Sequence, residues 1–265
     1  YNIKVGGIHI ANFLVKYFDD SIEYKTSMKL VPKGLASLLG DIKFEITSSG
    51  AVSEKKSGRQ LHKPRRYVRK WKNKSFSSHQ TIIYNGDNSF PKAKETIIDL
   101  SNNKEVLYGE LPWRAKRGKQ SQRIKDSMLV NSVDPITAFI LARSYLLAAN
   151  EQYFTIQVFD GRRRFNITTE IQDKREFWLK GEDRVLQPTM TTIKPVFGYE
   201  NQTSDLLSNI SLLVLFSIDG RFIPVQAILQ TPSVSGAINL LADCYDDREI
   251  CDLIEEQSHT PLNTK

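Results

Sequence analysis

Ser21-Ile22-Glu23-Tyr24-Lys25-Thr26-Ser27-Met28-Lys29-Leu30 alternates with period two. Ile22, Tyr24, Thr26, Met28 and Leu30 fall on one side of an extended chain, and Ser21, Glu23, Lys25, Ser27 and Lys29 on the other. That is the pattern of a half-buried strand in an antiparallel sheet. Ile42, Phe44 and Ile46 alternate with Lys43, Glu45 and Thr47, and Phe165, Ile167, Thr169 and Ile171 with Arg164, Asn166, Thr168 and Glu170. Tyr1–Phe18, Ser75–Tyr84, Tyr153–Phe159, Leu186–Pro195, Ser211–Ile218 and Phe222–Gln230 read as further strands. Asp160-Gly161 and Asp219-Gly220 lie between strand pairs and supply the positive φ of hairpin turns. Pro224 puts its strand at an edge or a bulge.

One segment departs from this rhythm. Asp134-Pro135 reads as a helix N-cap followed by proline at the first helical position. Ile136, Phe139, Ile140, Arg143 and Leu147 follow helical spacing, and Ala138, Leu141, Ala142 and Tyr145 fill much of the other side. A helix apolar nearly all round is deeply buried. The expected fold is mainly β: a single curved antiparallel sheet, or an open, spiral β-barrel, wrapped around one central α-helix at about 134–149. One domain spans 1–242, followed by an acidic tail or short helix at 243–265. Lys33–Leu39 is a candidate helical turn. Val52–Arg66 and Leu107–Asp126 read as long polar loops.

The 265 residues are 40% hydrophobic and 25% charged, which excludes collagen-like and disordered classes. No apolar run is long enough for a membrane helix. The net charge of +7 hides a clustered map. Lys55–Lys74 holds ten Lys/Arg and no acid, Arg114–Lys125 six and no acid, and Arg162–Arg164 three more. Clustering of this kind suits polyanions such as anionic lipid, lipopolysaccharide, acidic cell-wall polymer or nucleic acid. Tyr67 and Trp71 are interleaved with the charges of the first cluster, as on a binding surface or a partly buried strand. Candidate ligand- or anion-binding residues are therefore Arg66, Tyr67, Arg69 and Trp71, with Arg163, whose register sets it on the face of Phe165 and Ile167. Each arginine has an ordinary alternative, a long side chain passing the rim of the sheet.

No phosphate-binding glycine loop, nucleophile elbow or metalloprotease motif occurs. No catalytic residue, metal ligand or cofactor is assigned. The histidines are scattered, at His9, His62, His79 and His259. Cys244 and Cys251 lie seven apart. A disulfide there would stabilise by ~2.5 kcal/mol in the chain-entropy model. A continuous helix would separate the two by about 10 Å of rise, beyond the roughly 7 Å that a disulfide spans. Helix and disulfide are alternatives.

The order of several short motifs resembles a family. The opening Tyr1–Ala11 (YNIKVGGIHIA) is followed by Lys33-Gly34-Leu35, then Asp134-Pro135-Ile136-Thr137-Ala138. Val158-Phe159-Asp160-Gly161-Arg162-Arg163-Arg164-Phe165 comes next, then Pro195-Val196-Phe197-Gly198-Tyr199 and Arg221-Phe222-Ile223-Pro224-Val225. Together they resemble the proteobacterial domain-of-unknown-function family 3108. The resemblance implies a β-rich exported protein of the Gram-negative envelope, periplasmic, its leader removed before Tyr1, with no established enzymatic activity. The acidic tail lies beyond the family's usual end. Two functional expectations follow. One is a non-catalytic envelope protein holding a hydrophobic or amphipathic ligand inside the curved sheet, facing anionic lipid, lipoprotein or cell-wall polymer. The other is a scaffold with a filled core that acts through its surface. Nucleic-acid binding and hydrolysis rank below both.

Overall fold

In the computed structural model, residues 1–5, 8–34, 42–54, 60–85, 90–107, 110–111, 124–148, 151–179, 181–197, 210–220, 222–231 and 234–241 are described. Cys244, Cys251, the acidic tail, most of Lys33–Leu39 and most of Arg114–Lys125 lie outside them.

The strands are β1 (Asn2–Val5), β2 (Ile8–Asp19), β3 (Glu23–Pro32), β4 (Lys43–Glu54), β5 (Gln60–Lys72), β6 (Phe76–Ile83), β7 (Lys92–Asp99) and β8 (Lys104–Glu105). After α1 (Pro135–Ala148) come β9 (Tyr153–Phe159), β10 (Arg164–Ile171), β11 (Arg175–Leu179), β12 (Glu182–Phe197), β13 (Ile210–Phe216), β14 (Pro224–Thr231) and β15 (Val234–Leu241). They pair antiparallel in the order β8-β7-β6-β5-β4-β3-β2-β1-β15-β14-β13-β12-β10-β9. β11 forms a separate two-stranded antiparallel sheet with the first residues of β12. β8 and β9 end the path without pairing, so the sheet is curved and open rather than a closed barrel.

The helix explains the curvature. It touches β4 and β5 near one end of the path and β9 and β10 at the other. Ile136 and Ile140, one turn apart, pack with Tyr24, Met28, Val52, Tyr67 and Ile82 of β3–β6. Ala138 and Leu141 pack with Phe154, Ile156 and Val158 of β9. Leu146 packs with Val214, Phe216 and Ala227 of β13 and β14. Three sectors of one helix thus meet three stretches of one sheet, which folds the sheet round it. The expected stripe is corrected in part: Phe139 and Leu147 are exposed, and the core is built from the remaining apolar positions. The edge of β9 is not left open, because Val133 bridges Val158 through backbone bonds to Gln157 and Phe159.

Local signals are placed as their chemistry demands. Asp134 Oδ1 accepts the backbone N–H of Ile136 and Thr137, each at 2.9 Å. Gly161 and Gly220 hold φ of 91° and 80° in their turns. Pro224 sits at a register shift between β13 and β14. Two expectations are corrected. Tyr1–Phe18 is two antiparallel strands, β1 and β2, with Gly6-Gly7 between them. Most of the supposed loop Val52–Arg66 belongs to β4 and β5, where Val52 pairs with His62 and Glu54 with Gln60. Cross-strand pairing overrode the polar composition of that stretch.

Candidate anion-binding face

Tyr24, Met28, Tyr67 and Ile82 point inward, so the residues between them point outward. Register then assembles the outer face of β2–β7 in rows. One row runs Phe18–Lys25–Ser49–Arg66–Ile83–Lys92, and the next Lys16–Ser27–Thr47–Val68–Thr81–Lys94. A third runs Leu14–Lys29–Glu45–Lys70–His79–Thr96, and beyond it Lys43 lies directly across from Lys72. Lys16, Lys25, Lys43, Arg66, Lys70, Lys72, Lys92 and Lys94 are all exposed. Among the described residues of this face the carboxylates are Glu23, paired with Lys25 at 2.5 Å, and Glu45. At ~4.8 Å per strand the six strands spread these cations over about 24 Å.

Arg66 reaches this face because of a bulge. Ser49 pairs with Arg66 but Gly50 pairs with Pro64, which leaves Arg65 as the extra residue. His62 is inward before the bulge; Tyr67, Arg69 and Trp71 share the inward register after it. Gly50 is required here: a Cβ would lie 2.1 Å from the carbonyl oxygen of Lys63. Around Arg66, small residues are ringed by long ones. Ser27, Thr47 and Ser49 alternate with Lys16, Phe18, Lys25 and Arg66, leaving an open depression of about 440 Å³. Hydroxyls lie beside guanidinium and ammonium groups there, a set of donors suited to phosphate or carboxylate oxygens.

The other predicted residues lie elsewhere. Tyr67 is buried against α1, and burial pushes its hydroxyl pKa well up. Arg69 faces inward opposite Gln80, which is itself opposite Glu95. Glu95 Oε2 accepts the Arg162 Nε–H at 2.6 Å, and its other oxygen accepts from Arg162 Nη2 and, at 2.7 Å, from Ser78 Oγ. Arg69 Nη2 stands 3.7 Å from the same carboxylate. This cluster joins β7 to the β9–β10 turn and so ties the two ends of the sheet together. Gly161 lies over Gln80, and a Cβ there would meet its amide at 2.4 Å. Trp71 is half-buried on the inner side, across from Ser78. Arg163 is held by its own turn, its Nε and Nη2 each 2.9 Å from Asp160 Oδ2. The buried arginine of that motif is Arg164, which donates to Met128 O and to Asn166 Oδ1.

Sequence reading missed a set of polar links between sheet and helix. Ser48 Oγ donates to Asp134 Oδ2 at 2.9 Å, and Tyr24 Oη lies 2.6 Å from Thr137 Oγ1. Burial raises the Asp134 carboxyl above the usual range, against the pull of these donors. Further along the helix, Asp19 Oδ2 is 3.0 Å from His62 Nε2, and His62 Nδ1 is 3.4 Å from Ser144 Oγ. Tyr17 Oη also donates to Asp19. Burial lowers the His62 pKa more than Asp19 raises it, so the ring is neutral at pH 7 and donates Nε2–H to the carboxylate. Although the three residue types are those of a serine hydrolase, Ser144 is buried and bonds the Ile140 carbonyl. The set works as a latch between β2, β5 and α1. No local motif announces it, because its members are distant in sequence.

No family model matches the chain, and no curated protein matches it. A solved structure similar to it is a beta-barrel-like protein of Domain of Unknown Function DUF1849 from Brucella abortus. The likeness is at TM-score 0.35 and 9% sequence identity, covering 88% of this chain and 96% of that one. The chain is a β-rich domain built on an open curved sheet and one helix among its described residues.

Proposed function

We propose that this is a non-catalytic binding protein of the Gram-negative envelope, working in the periplasm through the basic outer face of β2–β7. The observation that carries the reading is the set of exposed cations on that face, from Lys16 to Lys94, set against Glu23 and Glu45. Like charges directly opposed, as at Lys43 and Lys72, are destabilising in a sheet. A chain that retains them gains an attractive field for an anionic partner. The part of the inner face that α1 covers favours a surface-acting protein over one that holds its ligand there. There α1 packs Ile136, Ile140, Ala138 and Leu141 at 8% exposure or less. The envelope location rests on the family resemblance.

The test is binding of the whole chain to long-chain polyphosphate and to phosphatidylglycerol vesicles, at two salt concentrations. The double substitution Arg66→Glu with Lys70→Glu should weaken binding to either probe at least tenfold, and higher salt should weaken the parent. Binding to neither probe, or binding indifferent to salt and to both reversals, overturns the reading. Cell fractionation tests the location.

A further inference from the structure

We infer that the anionic partner of the β2–β7 face is a lipid surface, which phosphate-bearing headgroups and acyl chains present together, rather than a hydrophilic polymer. The inference rests on the preceding reading and deepens it. The row that contains Arg66 is not purely cationic. Phe18 and Ile83 lie in register with Lys25, Arg66 and Lys92, and they are 52% and 39% exposed. Phe18 also lines the depression beside Arg66. At the same end of the sheet the β2–β3 turn presents Ile22, 75% exposed. Single exposed apolar residues are ordinary. Here Phe18 and Ile83 share one face with the cations, and Ile22 adds a third exposed apolar group at that end of the sheet.

A soluble polyanion has no apolar groups with which to cover Phe18 and Ile83. A membrane interface offers both components: phosphates at the level of the ammonium and guanidinium groups, and the upper acyl region for the aromatic and aliphatic tips. Long basic side chains also suit this boundary, laying their methylenes along apolar surface while the charged ends stay wet. The partner is thus chosen by the mixed chemistry of one row.

The experiment compares the parent chain with Phe18→Ser/Ile83→Ser on phosphatidylglycerol vesicles and on polyphosphate. Vesicle affinity should fall at least fivefold, with polyphosphate affinity unchanged and the melting temperature within about 2 °C of the parent, as expected for exposed positions. Equal affinity of parent and variant for vesicles, or an equal loss on both probes, overturns the inference. A parent that binds polyphosphate but not vesicles overturns it too, while leaving the anion-binding reading standing. A second variant, Phe18→Trp, gives a readout independent of stability: its fluorescence should be quenched by brominated acyl chains beyond any quenching of the parent. Quenching no greater than the parent's also counts against the lipid surface.

Discussion

The two arms of the sheet hold the same helix by different means. β9 and β10 meet α1 through apolar contacts: Ala138 and Leu141 against Phe154, Ile156 and Val158, with Tyr145 stacked on Phe154 at 4.2 Å between ring centroids. β3–β5 add a line of polar links to their apolar contacts, from Tyr24–Thr137 and Ser48–Asp134 to His62–Ser144. Apolar packing is strong but tolerates sliding, whereas buried hydrogen bonds are costly to leave unmade and so specify one register. Both arms grip the helix through apolar contacts, and the polar links of β3–β5 set where it sits. Only the polar arm carries the cationic outer face, so its inner bonds also fix the platform on which those cations stand.

The largest break should come on the apolar side. Phe154→Ala removes a buried ring from the helix contact and should cost ~3–5 kcal/mol in denaturant unfolding. Asp134→Ala takes away the cap of α1 and leaves Ser48 and Thr137 without their acceptor; a loss of ~2–3 kcal/mol is expected from the same measurement. If it costs more than Phe154→Ala, the buried cap outweighs the buried ring in holding the helix. Gly161→Ala should cost ~1–2 kcal/mol, from its φ of 91° and the Gln80 amide beneath it. The smallest effect is a pH slope. Because His62 binds its proton less readily in the fold than in the unfolded chain, stability from this residue is present above the ordinary histidine value of 6.5 and declines as pH falls below it. Thermal melts of His62→Gln between pH 7 and pH 5 should show a shallower decline than the parent. An unchanged slope would place the titration elsewhere.

Much of the fold was legible in local pattern. The alternation from Glu23 to Leu30, the Asp-Gly turns and the Asp134-Pro135 start became what their chemistry requires, whereas Ser21 and Ile22, expected in the same strand, form the β2–β3 turn and leave Ile22 exposed. β7, β8, β11 and β15 were not foreseen. In β7 the inward positions include Glu95, whose partner Arg162 is distant in sequence, so a charge interrupts the apolar alternation there. The candidate site was half visible. Lys55–Lys74 announced positive charge, but a composition count does not say that Arg69 turns inward to Glu95 while Arg66 turns outward.

Sequence alone determined the strand-rich architecture and the buried helix, because side-chain period and turn stereochemistry act over a few neighbouring residues. The tertiary structure decided which cations share a surface. A bulge at Gly50 shifts the inside-outside parity of β5, and register brings Lys16, Lys25, Lys70 and Lys92 from four separate strands onto one face. Parity and register are set by contacts between distant segments, and those exist only once the sheet has curled around α1.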